Sequence, residues 1–464
     1  MTRYHQPNPL DAVFLAIDDA WRRGGLAGMD IHLHLEFRGR VDVAGIERAL
    51  RALRRVWPAT NARLVRRPFL RRFRWRLDAG ESRDADIVDV QELDGDEAAF
   101  ERYAEDLLAT QLDVRRAAPL RLYVARMRDG NDRMIVRWPH ALMDARGGAT
   151  IVEELARLYD ERPTVNALCS AGDELRRDFG TLDGRMSLRE RAAAVWGALG
   201  ARRRSAAARE LRLCPLVNAE ECGRMRICIR RLDRDDAARV RDAAMQVCGF
   251  GRFADFLRAA AIRALAETVA SRDPDGVFST MHLLDNRRRR DRGPVCHNVF
   301  SAFPIHIPAA VATDRAVVAD LIRDATVAVL HSGALNRRLA GLRLLARIPS
   351  GLLSRSVSRG LRLGRSFLPL GVSNPPSLPM GFMGPLSRAY ESMFGATLVN
   401  IYGVRPASPP AGFALNVNQA QGRMNIAGIH YESSVPAEIM QALVDRFVTA
   451  LTEPLKQRIG SASG

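Results

Sequence analysis

The sequence predicts an α/β protein of two layered domains, each a mixed sheet with flanking helices. Three observations lead to this fold class. The chain of 464 residues is longer than one ordinary hydrophobic core can serve. Strand-like segments of period two alternate with helix-like segments as far as Tyr159, the pattern of strands layered against helices. A polar stretch rich in arginine and alanine at 185–212 interrupts this pattern, which restarts at Met225. Residues 1–180 are therefore expected to form the first domain, 181–224 a linker and 225–464 the second domain.

In the first domain, Asn8-Pro9-Leu10-Asp11 opens a helix, because Pro9 suits a first turn and Asp11 complements the helix dipole. Residues 31–37 alternate as a strand, with His32 and His34 on one face and Leu33 and Leu35 on the other. Solvated or sheet-packed histidines are expected there rather than a metal pair. Residues 43–56 place Ile46, Leu50 and Leu53 on one helical face, and strands are expected over 57–65 and 69–77. A helix over 100–112 precedes a hairpin of 119–125 and 133–138 around Asp129-Gly130-Asn131-Asp132. Pro139 cannot donate to a ladder and ends the second of these strands. Ile151, Val152, Leu155, Leu158 and Tyr159 then recur at helical spacing after Gly147 and Gly148. His140 and Asp144 thus occupy a strand-to-helix turn. Taken alone, the turn admits two readings: a loop histidine followed by a helix cap, or reactive groups held on a rigid scaffold.

The second domain opens with a strand at 225–229, helices over 240–247 and 253–269, and a strand at 280–285 that runs into the arginine-rich turn 286–292. Residues 298–308 are extended and 316–342 largely helical. Leu, Ile and Phe mix with Arg over 339–370, broken at Pro349-Ser350-Gly351. This is either a basic helix pair packed on the domain or a segment lying on an anionic membrane surface. Strands follow at 372–374, 396–402, 413–419 and 424–430, the last two joined by the turn Gln421-Gly422-Arg423, and a helix over 436–455 closes the chain.

The formal net charge is +17, and nearly all the positive charge is arginine, Lys456 being the one lysine. Such a surface favours anionic partners: phosphate-bearing cofactors, an acidic protein, anionic lipid or nucleic acid. Aromatic residues are not interleaved with the basic ones in a nucleic-acid-binding pattern, so nucleic acid is not an expected partner. No run approaches the roughly 20 apolar residues that span a bilayer, and the N-terminus lacks the apolar stretch of a signal peptide. A cytoplasmic location is expected, with peripheral contact at the inner face of the membrane as its extension. The six cysteines, Cys169, Cys214, Cys222, Cys228, Cys248 and Cys296, form no C-x-x-C pair and are expected as reduced thiols, without a metal site.

Several segments carry a resemblance. Pro139-His140-Ala141-Leu142-Met143-Asp144-Ala145 matches the motif His-His-x-x-x-Asp-Gly at its second His and its Asp. Pro9-Leu10-Asp11-Ala12-Val13-Phe14, Asn298-Val299-Phe300-Ser301 and Gly371-Val372-Ser373-Asn374 fall in a matching order, as do Leu112-Asp113 with Ala118-Pro119-Leu120-Arg121, and Ala414-Leu415-Asn416-Val417 with Gly422-Arg423-Met424. Together they resemble the acyltransferase superfamily of chloramphenicol acetyltransferase, peptide-synthetase condensation domains and bacterial wax ester synthase/diacylglycerol acyltransferases, nearest the last branch.

The resemblance implies two chloramphenicol acetyltransferase-like subdomains with an active-site tunnel at their interface. It implies acyl transfer from acyl-CoA or a phosphopantetheine-linked acyl carrier protein to a hydroxyl or amine acceptor, with the hydroxyl favoured, in lipid or secondary metabolism. His140 would be the general base, and no cofactor would be bound. Asp144 would be structural and pair with an arginine of the second domain; Arg287 is the candidate, with Arg288, Arg289 and Arg290 beside it. Pro139, Arg146, Gly147, Asn298, Ser373 and Asn374 would lie along the substrate channel. Pro139 replaces the motif's first His, and Ala145-Arg146 replaces its Gly; altered substrate choice is the expected consequence. Two alternatives stand beside this: a degenerate member that binds an acyl group or carrier protein without turnover, and a peripheral lipid-binding protein that uses 339–370.

Overall fold

The computed structural model describes residues 3–161 except 6, 67–72 and 78–87, isolated positions between 187 and 200, 208–287 except 217–218 and 271–272, 296–362, and 376–453 except 384–385 and 387–388. In the first half these form β1 (Arg3–His5), α1 (Pro9–Arg23), β2 (Asp30–Arg38), α2 (Val43–Val56), β3 (Arg63–Arg66), β4 (Phe73–Leu77), β5 (Val88–Leu93), α3 (Glu97–Ala109), β6 (Arg121–Met127), β7 (Asp132–Pro139) and α4 (Ala145–Glu161). The second half contributes β8 (Met225–Leu232), α5 (Arg234–Cys248), α6 (Phe253–Thr268), β9 (Val277–Asp285), β10 (Phe300–Pro308), α7 (Arg315–His331), α8 (Ala334–Arg347) and α9 (Ser350–Arg362). It ends with β11 (Met380–Met383), β12 (Ser392–Met393), β13 (Ala396–Val404), β14 (Phe413–Ala420), β15 (Arg423–Tyr431) and α10 (Ala437–Thr452).

Local chemistry accounts for most boundaries. The Asn8 side chain accepts from the Asp11 N–H while the Asp11 carboxylate accepts from the Asn8 N–H, a reciprocal cap that starts α1. Asp42 and Asp233 cap α2 and α5 by one bond each, accepting from the Gly45 and Asp236 N–H groups, so α5 begins at Arg234 rather than near Val240. The strand expected over 57–65 is shorter: Pro58 has no N–H to give a ladder, residues Pro58–Asn61 form a 3-10 turn held by Thr60 Oγ1 on the Trp57 carbonyl, and only Arg63–Arg66 pairs. Ser332 and Gly333 divide the expected helix over 316–342 into α7 and α8.

Two principal sheets carry the molecule. The first has the order β12-β13-β2-β7-β6-β5 and the second β11-β14-β15-β8. β12 and β13 come from the second half of the sequence yet extend the first sheet, β13 running antiparallel to β2. Side-chain amides, not a backbone ladder, join β13 to its neighbour β14 of the second sheet. Asn418 accepts from the Gly403 N–H and donates to the Gly403 carbonyl, imitating a ladder step, and Asn400 bonds reciprocally with Asn425 of the next strand, β15. The halves therefore form two subdomains stitched along a seam.

Each subdomain has its own core. Leu33, Leu35, Ile46, Leu50 and Leu155 pack the first sheet against α2 and α4. Phe256, Ile262, Leu265, Leu443 and Phe447 pack α6 and α10 with the second sheet. A third core is shared, with Trp21, Phe100, Ile135, Tyr402, Ala414, Ala427 and Ile229 drawn from both halves. The basic segment expected to form a helix pair is α8 and α9. Their apolar side chains Leu339, Leu345 and Leu353 meet Leu10, Val13 and Ala16 of α1, while residues 363–370 and the strand expected at 372–374 lie outside the described residues. Among the described residues no helix is long and apolar enough to cross a membrane.

Candidate active site

β7 delivers the turn. Its last residue, Pro139, is buried opposite Asp30 of β2, and the His140 N–H donates to the Met29 carbonyl at 2.8 Å. The His140 carbonyl accepts from Asn298 Nδ2, also at 2.8 Å. With its backbone clamped on both sides, the His140 ring stacks on Phe14 of α1, centroids 4.0 Å apart, and Phe300 of β10 lies at 6.1 Å.

Asn298 ties three segments together. It is fully buried; its Nδ2 also donates to Asp11 Oδ1 at 2.8 Å, and its carbonyl accepts from Asn8 Nδ2. The cap of α1 is thereby bonded to the strap before β10 and to the histidine turn.

Asp144 holds the other side of the turn. Its Oδ1 accepts from the Gly147 N–H at 2.8 Å, capping α4, and from Arg287 Nη2 at 2.7 Å. Its Oδ2 accepts from the Val299 N–H at 3.2 Å. Arg287 also donates to the His297 carbonyl and pairs with Asp285. No hydrogen bond joins Asp144 to His140: the carboxylate is engaged in fastening the 296–299 strap onto the start of α4.

The remaining expected channel residues separate. A side chain on Gly147 would overlap the Cys296 carbonyl oxygen, so this glycine lets the strap cross the helix and does not face open space. The next glycine, Gly148, accommodates the buried Trp138 indole. The Arg146 side chain is 72% exposed and lies 3.5 Å from Asp285, on the surface beside the strap. Ser373, Asn374 and Arg288 to Arg290 lie outside the described residues.

Burial pushes the His140 imidazole below the ordinary histidine value; its own backbone hydrogen bond and the Asp144 charge oppose that shift, and the Arg405 charge reinforces it. The ring is therefore neutral at neutral pH, the state in which it accepts a proton. Beside the turn, at the seam, Leu33, Ala149, Leu386, Ile401, Tyr402, Asn418 and Gln419 line a small cleft.

Arg405, whose charge reaches His140, and its hydrogen-bond partner Asn416 were not singled out in the sequence. Arg405 follows β13 directly, and nothing in its local sequence separates it from the chain's many other arginines. Asn416 was visible only as part of the strand segment Ala414-Leu415-Asn416-Val417 that carries the resemblance, with no role of its own.

The two-subdomain architecture is shared with solved structures of the condensation-domain and CoA-dependent acyltransferase fold. Trichothecene 15-O-acetyltransferase from Fusarium sporotrichioides aligns over 97% of this chain and 96% of its own, with TM-score 0.70 and 14% identity. The first condensation domain of the calcium-dependent antibiotic synthetase, in complex with a substrate analogue, aligns over 97% and 96% with TM-score 0.69 and 17% identity. The condensation domain of the Monacolin K polyketide synthase aligns over 97% of each chain with TM-score 0.61 and 16% identity. At these identities the likeness establishes the fold. No family model matches the sequence, and no curated protein matches it.

Proposed function

We propose that this chain is an acyltransferase that moves an acyl group from a thioester to a hydroxyl or amine acceptor, with His140 as general base. One observation carries the reading: a neutral imidazole, clamped through its backbone and stacked on Phe14, stands where both subdomains meet, while its motif partner Asp144 is fully engaged in structure. The fold held in common with an acetyltransferase and with condensation domains supports acyl transfer.

His140 would take the acceptor proton as the acceptor oxygen or nitrogen attacks the thioester carbonyl carbon. The tetrahedral intermediate collapses with cleavage of the C–S bond, and the departing sulfur recovers the proton from His140. Base and nucleophile balance without a covalent enzyme intermediate. A hydroxyl is the favoured acceptor, because it gains most from a base during attack. Acyl-CoA or an acyl carrier protein is the donor, and the net charge of +17 complements the phosphates of either. The meeting of the Asn8–Asp11 cap, Asn298 and His140 uses the segments that resemble wax ester synthases, which supports acceptors from lipid or secondary metabolism.

The test is thiol release from mixed acyl-CoAs and acyl carrier protein in the presence of alcohols and amines, for the wild type and His140→Ala. Loss of roughly 100-fold or more in the variant is expected for removal of a general base. Release that persists unchanged would defeat the assignment. Pro139 and Ala145, which replace the motif's polar His and its Gly, favour one second reading, a binder of acyl groups that does not turn them over. Thioester binding without release by the wild type would establish it.

A further inference from the structure

Arg405 leaves the first sheet at the level of the histidine turn: Val404 stands opposite His32, which pairs with Arg137, and two positions on Asp30 pairs with Pro139. Its Nε donates to Asn416 Oδ1 and its Nη2 to the Pro379 carbonyl, both at 2.9 Å. Both acceptors are uncharged, and among the described residues no carboxylate lies within ion-pair distance of the guanidinium. Of its five N–H groups these bonds use two, which leaves three donors, including both on Nη1. Asn416 is 5% exposed, and its Nδ2 is a buried donor without a partner. The place is built for this arrangement: a side chain on Gly381 would stand 2.8 Å from Arg405 Nε and 3.0 Å from Asn416 Oδ1.

Arg405 is half-buried, and a pair of this kind offers further donors to an anion that reaches it. Burial holds Arg405 down to about 10, so it is still a cation at neutral pH, and its charge reaches His140. The ligand these donors suit is an anion close to the reacting centre. The phosphates of CoA or phosphopantetheine are the whole pantetheine arm away from the thioester that His140 must serve. A planar carboxylate matches a guanidinium edge and an amide N–H side by side.

We propose that Arg405 and Asn416 form a carboxylate-binding subsite beside His140, so that this acyltransferase selects a substrate carrying a carboxylate near its reacting group. The proposal rests on acyl transfer at His140 and adds the substrate class. The carboxylate is borne either by the acyl group or by the acceptor, and the two sources are separable by experiment.

Calorimetry on the full chain compares succinyl-CoA with butyryl-CoA in one arm, and the hydroxy acid 3-hydroxydecanoate, whose carboxylate is close to its hydroxyl, with its methyl ester in the other. The wild type is expected to bind the charged ligand about tenfold more tightly in one arm, the effect of one charge-assisted pair. Arg405→Met removes the cation, and the isosteric Asn416→Asp supplies an internal counter-charge; both are expected to bring the ratio to near one while binding of the uncharged ligand persists. The arm in which the preference appears names the source. No preference in either arm for the wild type, or a preference that survives in both variants, overturns the subsite. Because the readout is binding, the outcome is independent of thiol release: uncharged thioesters that bind and react without any carboxylate preference would leave the acyltransferase reading standing and this one refuted.

Discussion

His140 is held neutral by burial, and its catalytic competence should follow that charge state. With an uncharged acyl thioester, kcat/KM should be flat above neutral pH and fall on the acid side with an apparent pKa below the 6.5 of an unperturbed histidine. Arg405 is a positive charge that favours the neutral ring, so Arg405→Met should raise the His140 pKa and move the acid limb to higher pH. A pH–rate profile of both proteins checks this; an acid limb that stays put or moves down contradicts it. Asp144 makes a different demand. It receives the Gly147 and Val299 N–H groups and the Arg287 guanidinium, and both charged side chains are nearly inaccessible. Asp144→Ala should cost roughly 3–5 kcal/mol in urea unfolding, since it takes from Arg287 its buried carboxylate, leaving the more exposed Asp285, and leaves two N–H groups unpaired. Arg287→Met should cost less, because the carboxylate keeps both backbone donors. A fully stable Asp144→Ala protein would sink the anchoring role.

At the scale of elements, the start of α4 is fixed by what crosses it. Gly147→Ala would drive a methyl group into the Cys296 carbonyl, displace the strap and break the Val299 contact with Asp144. Overpacking of this sort costs about 1–3 kcal/mol, and thiol release should fall with it because the same strap carries Asn298 to His140. Gly341 in α8 has open space around its Cα, and Gly341→Ala should instead stabilise by about 0.5–1 kcal/mol. Thermal unfolding of the two variants should move in opposite directions. Elements whose signal is local were legible in the sequence. The strand–turn–helix around His140 followed from Pro139 and the apolar spacing of α4. The turn at Gln421-Gly422 has positive φ at both residues, 55° and 78°, the conformation that suits a tight hairpin between β14 and β15. The pairing of Asp144 with Arg287 was reached through the order of motifs. What remained hidden depends on distant parts of the chain. β5 buries only Val88 well, so its edge position parallel to β6 leaves no alternation to detect. β13 reads as a strand, yet its place in the first sheet is set by pairing with β2 across most of the sequence. Arg405 acquires its character only because that pairing carries it to the seam.

The whole molecule is closed by the shared core, and that core contains a pH-sensitive pair. His32 and His34 lie on one face of β2, as their alternation predicts, and both are fully buried with partners from several elements. His34 contacts Tyr402 of β13 and Phe100 of α3, and His32 lies opposite Arg137. Burial drives His34 down to about 3, with the Arg231 charge adding to it, and drives His32 well below its usual value, with Arg137 and His34 adding to it. Glu36 and Asp30, each two positions from one of the histidines on the same strand, are already paired with Arg231 and Arg137. In the unfolded chain both histidines take up a proton near 6.5, while the folded protein refuses it until far lower pH. Their contribution is therefore complete above pH 6.5 and is lost as pH falls below it, at about 1.4 kcal/mol per pH unit for each histidine. Buried His282 and His430, also shifted down by burial, act in the same direction. Asp18, Asp255 and Glu101 are shifted up by burial and oppose the trend. Between about pH 5 and 6 the histidines set the slope. Replacing His34 with Gln should reduce the slope of unfolding free energy against pH in that interval by about 1.4 kcal/mol per unit, whatever the substitution does to stability at pH 8. Urea unfolding of both proteins at several pH values measures the slopes directly, and equal slopes would mean that His34 takes up its proton without the shared core opening.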